Sequence, residues 1–215
     1  MTNDEARVVA ASMLRELGHE FVGRVLDDEQ LERLSADTRA HLDNLRDAPL
    51  RARELSSDRL AEFSFAIPTK DEIGERQLFG DSVVTGSANP MGIGAQLWRE
   101  GDDTCMHVTL GKAFEGAPGR AHGGVVAAIL DEVMGAVNAL HGTLAYTVQL
   151  DITYHAPTPF GEPIIARAWL ARQDGRKRYV ESTLFADDLQ VASAKGLFIT
   201  VDRAALLEQL LTPKD

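Results

Sequence analysis

Gly119-Arg120-Ala121-His122-Gly123-Gly124-Val125-Val126-Ala127-Ala128-Ile129-Leu130-Asp131-Glu132-Val133-Met134-Gly135 is the stretch on which the reading of this chain turns. From Val125 to Leu140 sixteen residues run rich in Ala, Val and Leu, too long for one buried strand. The run predicts a helix packed on nearly all sides. A glycine pair opens it, so its first-turn N–H groups are unshielded by side chains and have the positive end of the helix dipole behind them. Such a terminus suits a developing oxyanion. Asp131 sits inside the apolar run, where an ionised carboxylate is costly unless it is hydrogen-bonded or faces a cleft. Glu132 points about 100° away around the helix and reads as structural.

Upstream, Ile93 to Trp98 and Met106 to Leu110 flank a turn at Gly101-Asp102-Asp103, the pattern of a hairpin. The loop Glu115-Gly116-Ala117-Pro118-Gly119 then leads into the helix. Downstream, Tyr146 to Tyr154, Pro163 to Leu170, Tyr179 to Ala186 and Gln190 to Val201 are strand-like, with Pro, Gly or charged turns between them. Asp187-Asp188 reads as one of those turns. A hairpin, one apolar helix and four consecutive strands favour an α+β fold in which an antiparallel sheet curls around the helix. At the N-terminal end, Val8, Val9, Ala11, Met13, Leu14 and Leu17 recur at helical spacing, and Gly18 suits a stop or a bend. Phe21 to Leu26 either continues this helix or starts another. Asp27-Asp28-Glu29-Gln30 opens a helix carrying Leu31, Leu34, Leu42 and Leu45, with Pro49 beyond its end. The chain divides into an N-terminal helical extension (1–60), a connecting segment (61–81), the sheet-and-helix domain (82–202) and a tail (203–215).

Twenty-two basic residues against thirty-three acidic ones leave a formal charge of -11, which argues against nucleic acid as a partner. The lone cysteine, Cys105, cannot form an internal disulfide and reads as a small buried hydrophobe. His107, His141 and His155 show no metal-ligand spacing. The start lacks the basic and apolar regions of a signal peptide, and Asp131 and Glu132 interrupt the longest apolar run, which argues against a membrane span. A reduced, cytoplasmic protein is the expectation.

The His122-Gly123-Gly124 triplet, followed along the same helix by Asp131, resembles the hotdog-fold acyl-CoA thioesterases. The likeness covers roughly Ser82 to Val201 and includes Ile152-Thr153-Tyr154 with Pro157 and Pro159. It implies a hotdog fold and hydrolysis of acyl-CoA in a homodimer or a dimer of dimers, with no cofactor beyond the coenzyme A of the substrate. Residue by residue, it implies Gly123 as oxyanion donor, His122 as a positioning group, Asp131 as base or nucleophile, Thr147 as its helper and Gly124 beside the substrate. Several members have an Asn six positions before the His, where this chain has Gly116; the Glu-Gly-x-Pro-Gly loop instead resembles the subgroup that pairs Asp with Thr. Hotdog hydratases place a Glu further along the helix, where this chain has Met134, Gly135 and Ala136. A non-catalytic acyl-CoA-binding module is the alternative from another class.

Spacing adds two expectations. Gly123 and Asp131 lie eight residues apart, roughly 12 Å along a helix, too far for one small site. The donor of one chain should therefore meet the carboxylate of another. From Asp131 to His141 the helix advances ~15 Å, and five strand residues from Gly142 return roughly 16 Å, bringing Thr147 level with Asp131. Simple alternation places Thr147 on one strand face with Gln149 and Asp151, opposite Val148, Leu150 and Ile152, so that polar face must line a cleft. The cluster Arg172, Arg176, Lys177 and Arg178 reads as a solvated turn or, with Arg176 and Arg178 foremost, as a hold for the phosphates of coenzyme A.

Overall fold

The computed structural model describes residues 1–51, 67–73 and 80–202. Residues 52–66 and 74–79, shared between the expected extension and connecting segment, lie outside the described residues, as does the expected tail at 203–215.

Helix α1 (Asn3–Gly23) is capped by Thr2, whose side chain accepts from the Glu5 N–H while the Glu5 carboxylate returns to the Thr2 N–H. It continues unbroken through Gly18, so no stop occurs there, and Phe21 belongs to the same helix. Helix α2 (Asp28–Arg46) starts from the same reciprocal arrangement between Asp27 and Gln30, and none of its residues is buried. The short turn Lys112–Phe114 receives α1: His19 Nδ1 accepts from the Ala113 N–H at 3.1 Å, and the His19 ring meets Phe114 edge-on at 5.2 Å. Arg15 donates to the carbonyls of Ser87 and Asn89.

Strands β1 (Gln96–Glu100) and β2 (Asp103–Thr109) form the expected hairpin. β1 begins later than Ile93 because the Ile93 and Ala95 N–H groups donate to Val83 and Val84 carbonyls rather than to a neighbouring strand. Helix α3 (Gly123–Leu140) follows, then β3 (Ala145–Tyr154), β4 (Pro163–Asp174), β5 (Lys177–Ala186) and β6 (Leu189–Thr200). All six strands make one sheet in the order β1-β2-β4-β5-β6-β3, each neighbouring pair antiparallel, with β1 and β3 at its edges. Asp187, in the left-handed region at φ 48, turns β5 into β6.

The core lies between α3 and the concave sheet, where Met106, Leu110, Ile129, Leu130, Met134 and Phe198 are fully buried. Each such side chain contributes roughly 1.5–3 kcal/mol of hydrophobic stabilisation, which is why the sixteen-residue apolar run dominates the fold. Half of α3 is buried, and the rest, Asp131, Glu132 and Gly135 among it, is partly exposed, with Gly124 the most open. By length and composition α3 could also cross a bilayer, but its side chains pack into the sheet. The Thr104 hydroxyl on β2 donates to the Val133 carbonyl at 2.7 Å and fastens the helix to the strand.

One irregularity in β3 positions the site. Thr147 pairs with Phe198 and Gln149 with Leu197, so Val148 is an extra residue without a partner on β6. Ala145 packs on the core before this bulge, and Leu150 and Ile152 pack on it afterwards. The helix-facing set is thus 145 and 147, then 150 and 152. Unbroken alternation would have placed Thr147 on the face of Gln149 and Asp151; the bulge places it on the opposite one. Gln149 and Asp151 hydrogen-bond each other at 2.8 Å on the outer face, and no polar cleft is needed to accommodate Thr147.

Candidate active site

Asp131 stands half-buried where α3 passes the start of β3, and the Thr147 hydroxyl donates to its Oδ1 at 2.9 Å. That bond fixes the carboxylate in one orientation and leaves Oδ2 without a partner among the described residues. A carboxylate held by one oxygen and free at the other can accept a proton from water or act on an electrophile. Glu132 turns away and accepts from the Ser82 and Thr85 hydroxyls at 3.2 and 2.8 Å, tying the incoming segment to the helix.

The start of α3 is equally determined. His122 is the N-cap, extended at φ -66 and ψ 131, and its Nδ1 accepts from the Gly124 N–H at 3.0 Å. Its own N–H donates to the Phe114 carbonyl at 2.9 Å, and its carbonyl accepts from Val125 and Val126. Gly123 is the first helical residue, so its N–H has no partner within the helix. None is made with any other described residue. This amide is the free donor at the positive end of the dipole. Gly124, by contrast, has its amide occupied by His122, so it offers a ligand no N–H while that bond is made. The Tyr154 hydroxyl donates to the Gly123 carbonyl at 2.8 Å, a contact that sequence reasoning missed. At Gly116, a Cβ would come within 2.8 Å of the His122 Cα, so the close approach of the two segments excludes a side chain there.

The structure corrects the reading of Arg178. It is 3% exposed, and its guanidinium donates to Asn138 Oδ1 at 2.7 Å and Gln173 Oε1 at 2.8 Å, with His141 Nδ1 3.0 Å away. Burial pushes this guanidinium below the usual arginine range. It lies at the C-terminal end of α3, where the helix dipole favours a cation, and is a part of the core rather than a phosphate contact. Its alternation with Val180, Ser182 and Leu184, all buried, is the signal that could have placed it inside. Arg176 is exposed and donates twice to the Thr200 carbonyl; Arg172 stacks on Tyr179 at 4.1 Å. His155 Nε2 meets the Ser193 hydroxyl at 2.9 Å, and His141 closes α3 as its C-cap. Cys105 is buried, and desolvation, with the Glu100 charge behind it, pushes its thiol up to about 11. Among the described residues no three His, Cys, Asp or Glu side chains are grouped to hold a metal.

Comparison with known proteins converges on one superfamily. Residues 118–193 match the thioesterase superfamily, a span that contains His122, Gly123, Asp131 and Thr147. The chain is 34% identical over 94 residues to acyl-coenzyme A thioesterase THEM4 of Mus musculus, covering 43% of this chain and 40% of that protein. It is 31% identical over 91 residues to acyl-coenzyme A thioesterase THEM5 of Homo sapiens, covering 41% and 37%. This chain thus spans about two fifths of the length of these curated relatives. A crystal structure of a thioesterase superfamily protein superposes with a TM-score of 0.74 at 28% identity, over 90% of this chain and 94% of the other. That overlap covers nearly the whole chain. With the antiparallel sheet and its central helix in place, the chain has the hotdog fold and is similar to the thioesterase superfamily over residues 118–193.

Proposed function

We propose that the protein hydrolyses acyl-CoA thioesters to a free carboxylic acid and coenzyme A. The observation that carries this reading is the Thr147–Asp131 pair, a carboxylate with one oxygen oriented and the other free, in a domain that also leaves the Gly123 N–H unpaired. The names of the curated relatives support the substrate class. In the reaction Asp131 takes a proton from water as the oxygen adds to the thioester carbon. The carbonyl oxygen, now negative, is held by the Gly123 N–H. Collapse breaks the C–S bond, and the departing sulfur takes up the proton that Asp131 took from water. Direct attack by the Asp131 carboxylate would expel the thiolate and leave an anhydride, which water then opens to regenerate Asp131; both routes need the same two groups.

Because eight helical residues separate Gly123 from Asp131 by roughly 12 Å, the donor and the carboxylate of one site come from two subunits in this reading. The edge position of β3 supports it, since among the described residues that ten-residue strand has an unpaired side, with exposed Tyr146 and Val148 available to a second copy. Of Arg176 and Arg178, only the exposed Arg176 is assigned in this reading to the phosphates of coenzyme A. The reading extends to a cytoplasmic homodimer working in fatty acyl metabolism, without a cofactor beyond its substrate. The deciding experiment follows thiol release from acyl-CoAs of graded chain length by the wild-type protein and by Asp131→Asn. Release by the first and not the second supports hydrolysis. Binding of acyl-CoA without release by the wild type would make the domain a non-catalytic acyl-CoA-binding module.

A further inference from the structure

Tyr154 lies at the far end of β3 from Thr147, on the helix-facing side, and its hydroxyl reaches the start of α3. The peptide unit joining Gly123 to Gly124 is held at both ends: its carbonyl accepts from Tyr154 at 2.8 Å, and its N–H donates to His122 Nδ1 at 3.0 Å. Two successive glycines leave this turn with more backbone freedom than any other pair of residues would. A Cβ on Gly123 would stand 3.4 Å from the Tyr154 hydroxyl, so the phenol is packed directly over the glycine. The two side chains therefore supply the restraint that the missing Cβ atoms do not.

We propose that Tyr154 is a positioning residue, holding the Gly123–Gly124 peptide so that the Gly123 N–H points at the reacting carbonyl. The inference rests on the hydrolytic reading of the site. Tyr154 acts through the backbone and not on the substrate itself. Its loss lets the glycine turn rotate, and the donor then spends less time where charge develops, which lowers turnover while leaving ground-state binding intact.

The test is Tyr154→Phe, which keeps the ring and removes only the hydroxyl. Turnover of acyl-CoA should fall about tenfold with KM unchanged, the worth of one net hydrogen bond expressed in the transition state. Amide hydrogen exchange at Gly124, whose N–H is bonded to His122, should quicken, while exchange in β5 stays as in the wild type. This second readout needs no catalysis, so it tests the restraint even if the wild-type protein releases no thiol. A folded variant with wild-type turnover, or with unchanged exchange at Gly124, overturns the proposal, as does a rise in KM that accounts for the whole loss. If Tyr154→Phe does not fold, Tyr154→Met keeps an apolar side chain over the turn and is judged by the same two measurements.

Discussion

Thr147 and Asp131 lie sixteen residues apart in the chain, and their side chains meet at 2.9 Å, hydroxyl to carboxylate, across the boundary between strand and helix. Each half of the pair has a distinct task in the proposed reaction. Asp131→Asn should leave the fold intact and lower turnover by roughly 10²–10⁴, the range for loss of a general base. Thr147→Ala should cost about tenfold, because water can replace part of an orienting hydroxyl. Steady-state kinetics on purified, folded variants settle the order; a larger loss in Thr147→Ala would reverse the roles.

Gly123 offers a test of the shared site. Proline is tolerated at the first helical position, and the extended conformation of His122 is the one a following proline requires. Gly123→Pro should therefore fold yet lack the donor. If it is unfolded with inactive Asp131→Asn and the mixture refolded, random pairing makes about half of the dimers mixed, each with one intact site. Activity should return to about a quarter of wild type. No recovery, with mixed dimers demonstrated, means that one chain supplies both groups.

Arg176, in the β4–β5 turn, and Arg178, inside β5, should part company. Arg178→Met leaves Asn138 Oδ1 without its donor inside the core, while exposed Gln173 Oε1 can turn to water, and should cost about 1–3 kcal/mol in urea unfolding. Arg176→Glu should leave stability nearly unchanged and raise KM for acyl-CoA more than it lowers kcat, an effect that salt diminishes. Equal stability of the two variants would remove the distinction drawn between them.

His19 ties the seating of α1 to pH. Burial, and then the charge of Arg15, hold its pKa below the ordinary 6.5, and its neutral Nδ1 accepts from the Ala113 N–H. A histidine whose folded pKa is depressed contributes stability that is present above its unfolded value and is lost as pH falls through the folded one. The wild type should therefore lose stability relative to His19→Phe as pH falls below 6.5, as followed by urea midpoints. Parallel curves over that range would show that the ring does not titrate in the docked helix.

Much of this architecture is legible in the sequence because its signals are local. Gly101, Gly175 and Asp187 mark turns between alternating runs, and the apolar run of α3 leaves one way to bury itself. Asp131 and Thr147 could be brought together by counting rise per residue. The facing of Thr147 could not, since Thr147-Val148-Gln149-Leu150-Asp151 reads as unbroken alternation and only pairing with β6 reveals the extra residue. Arg178 was misplaced for a related reason: four basic residues near a turn outweigh, by eye, a parity that only the helix behind the sheet makes decisive. Tyr154 carried no signal of its own, because its partner is a backbone carbonyl and any glycine turn in reach would have looked the same.

Val148 acts on β3 as one inserted letter acts on a two-letter reading frame. Upstream of it the odd-numbered positions look inward; downstream the even-numbered ones do, and Thr147 and Tyr154 fall in different frames. Deleting Val148 itself would return the strand to plain alternation with both side chains still inward, whereas deleting one residue from 149–153 and keeping the bulge would turn Tyr154 out to solvent. The inserted residue thus decides which downstream side chains of β3 can reach the start of α3 while Thr147 stays on Asp131.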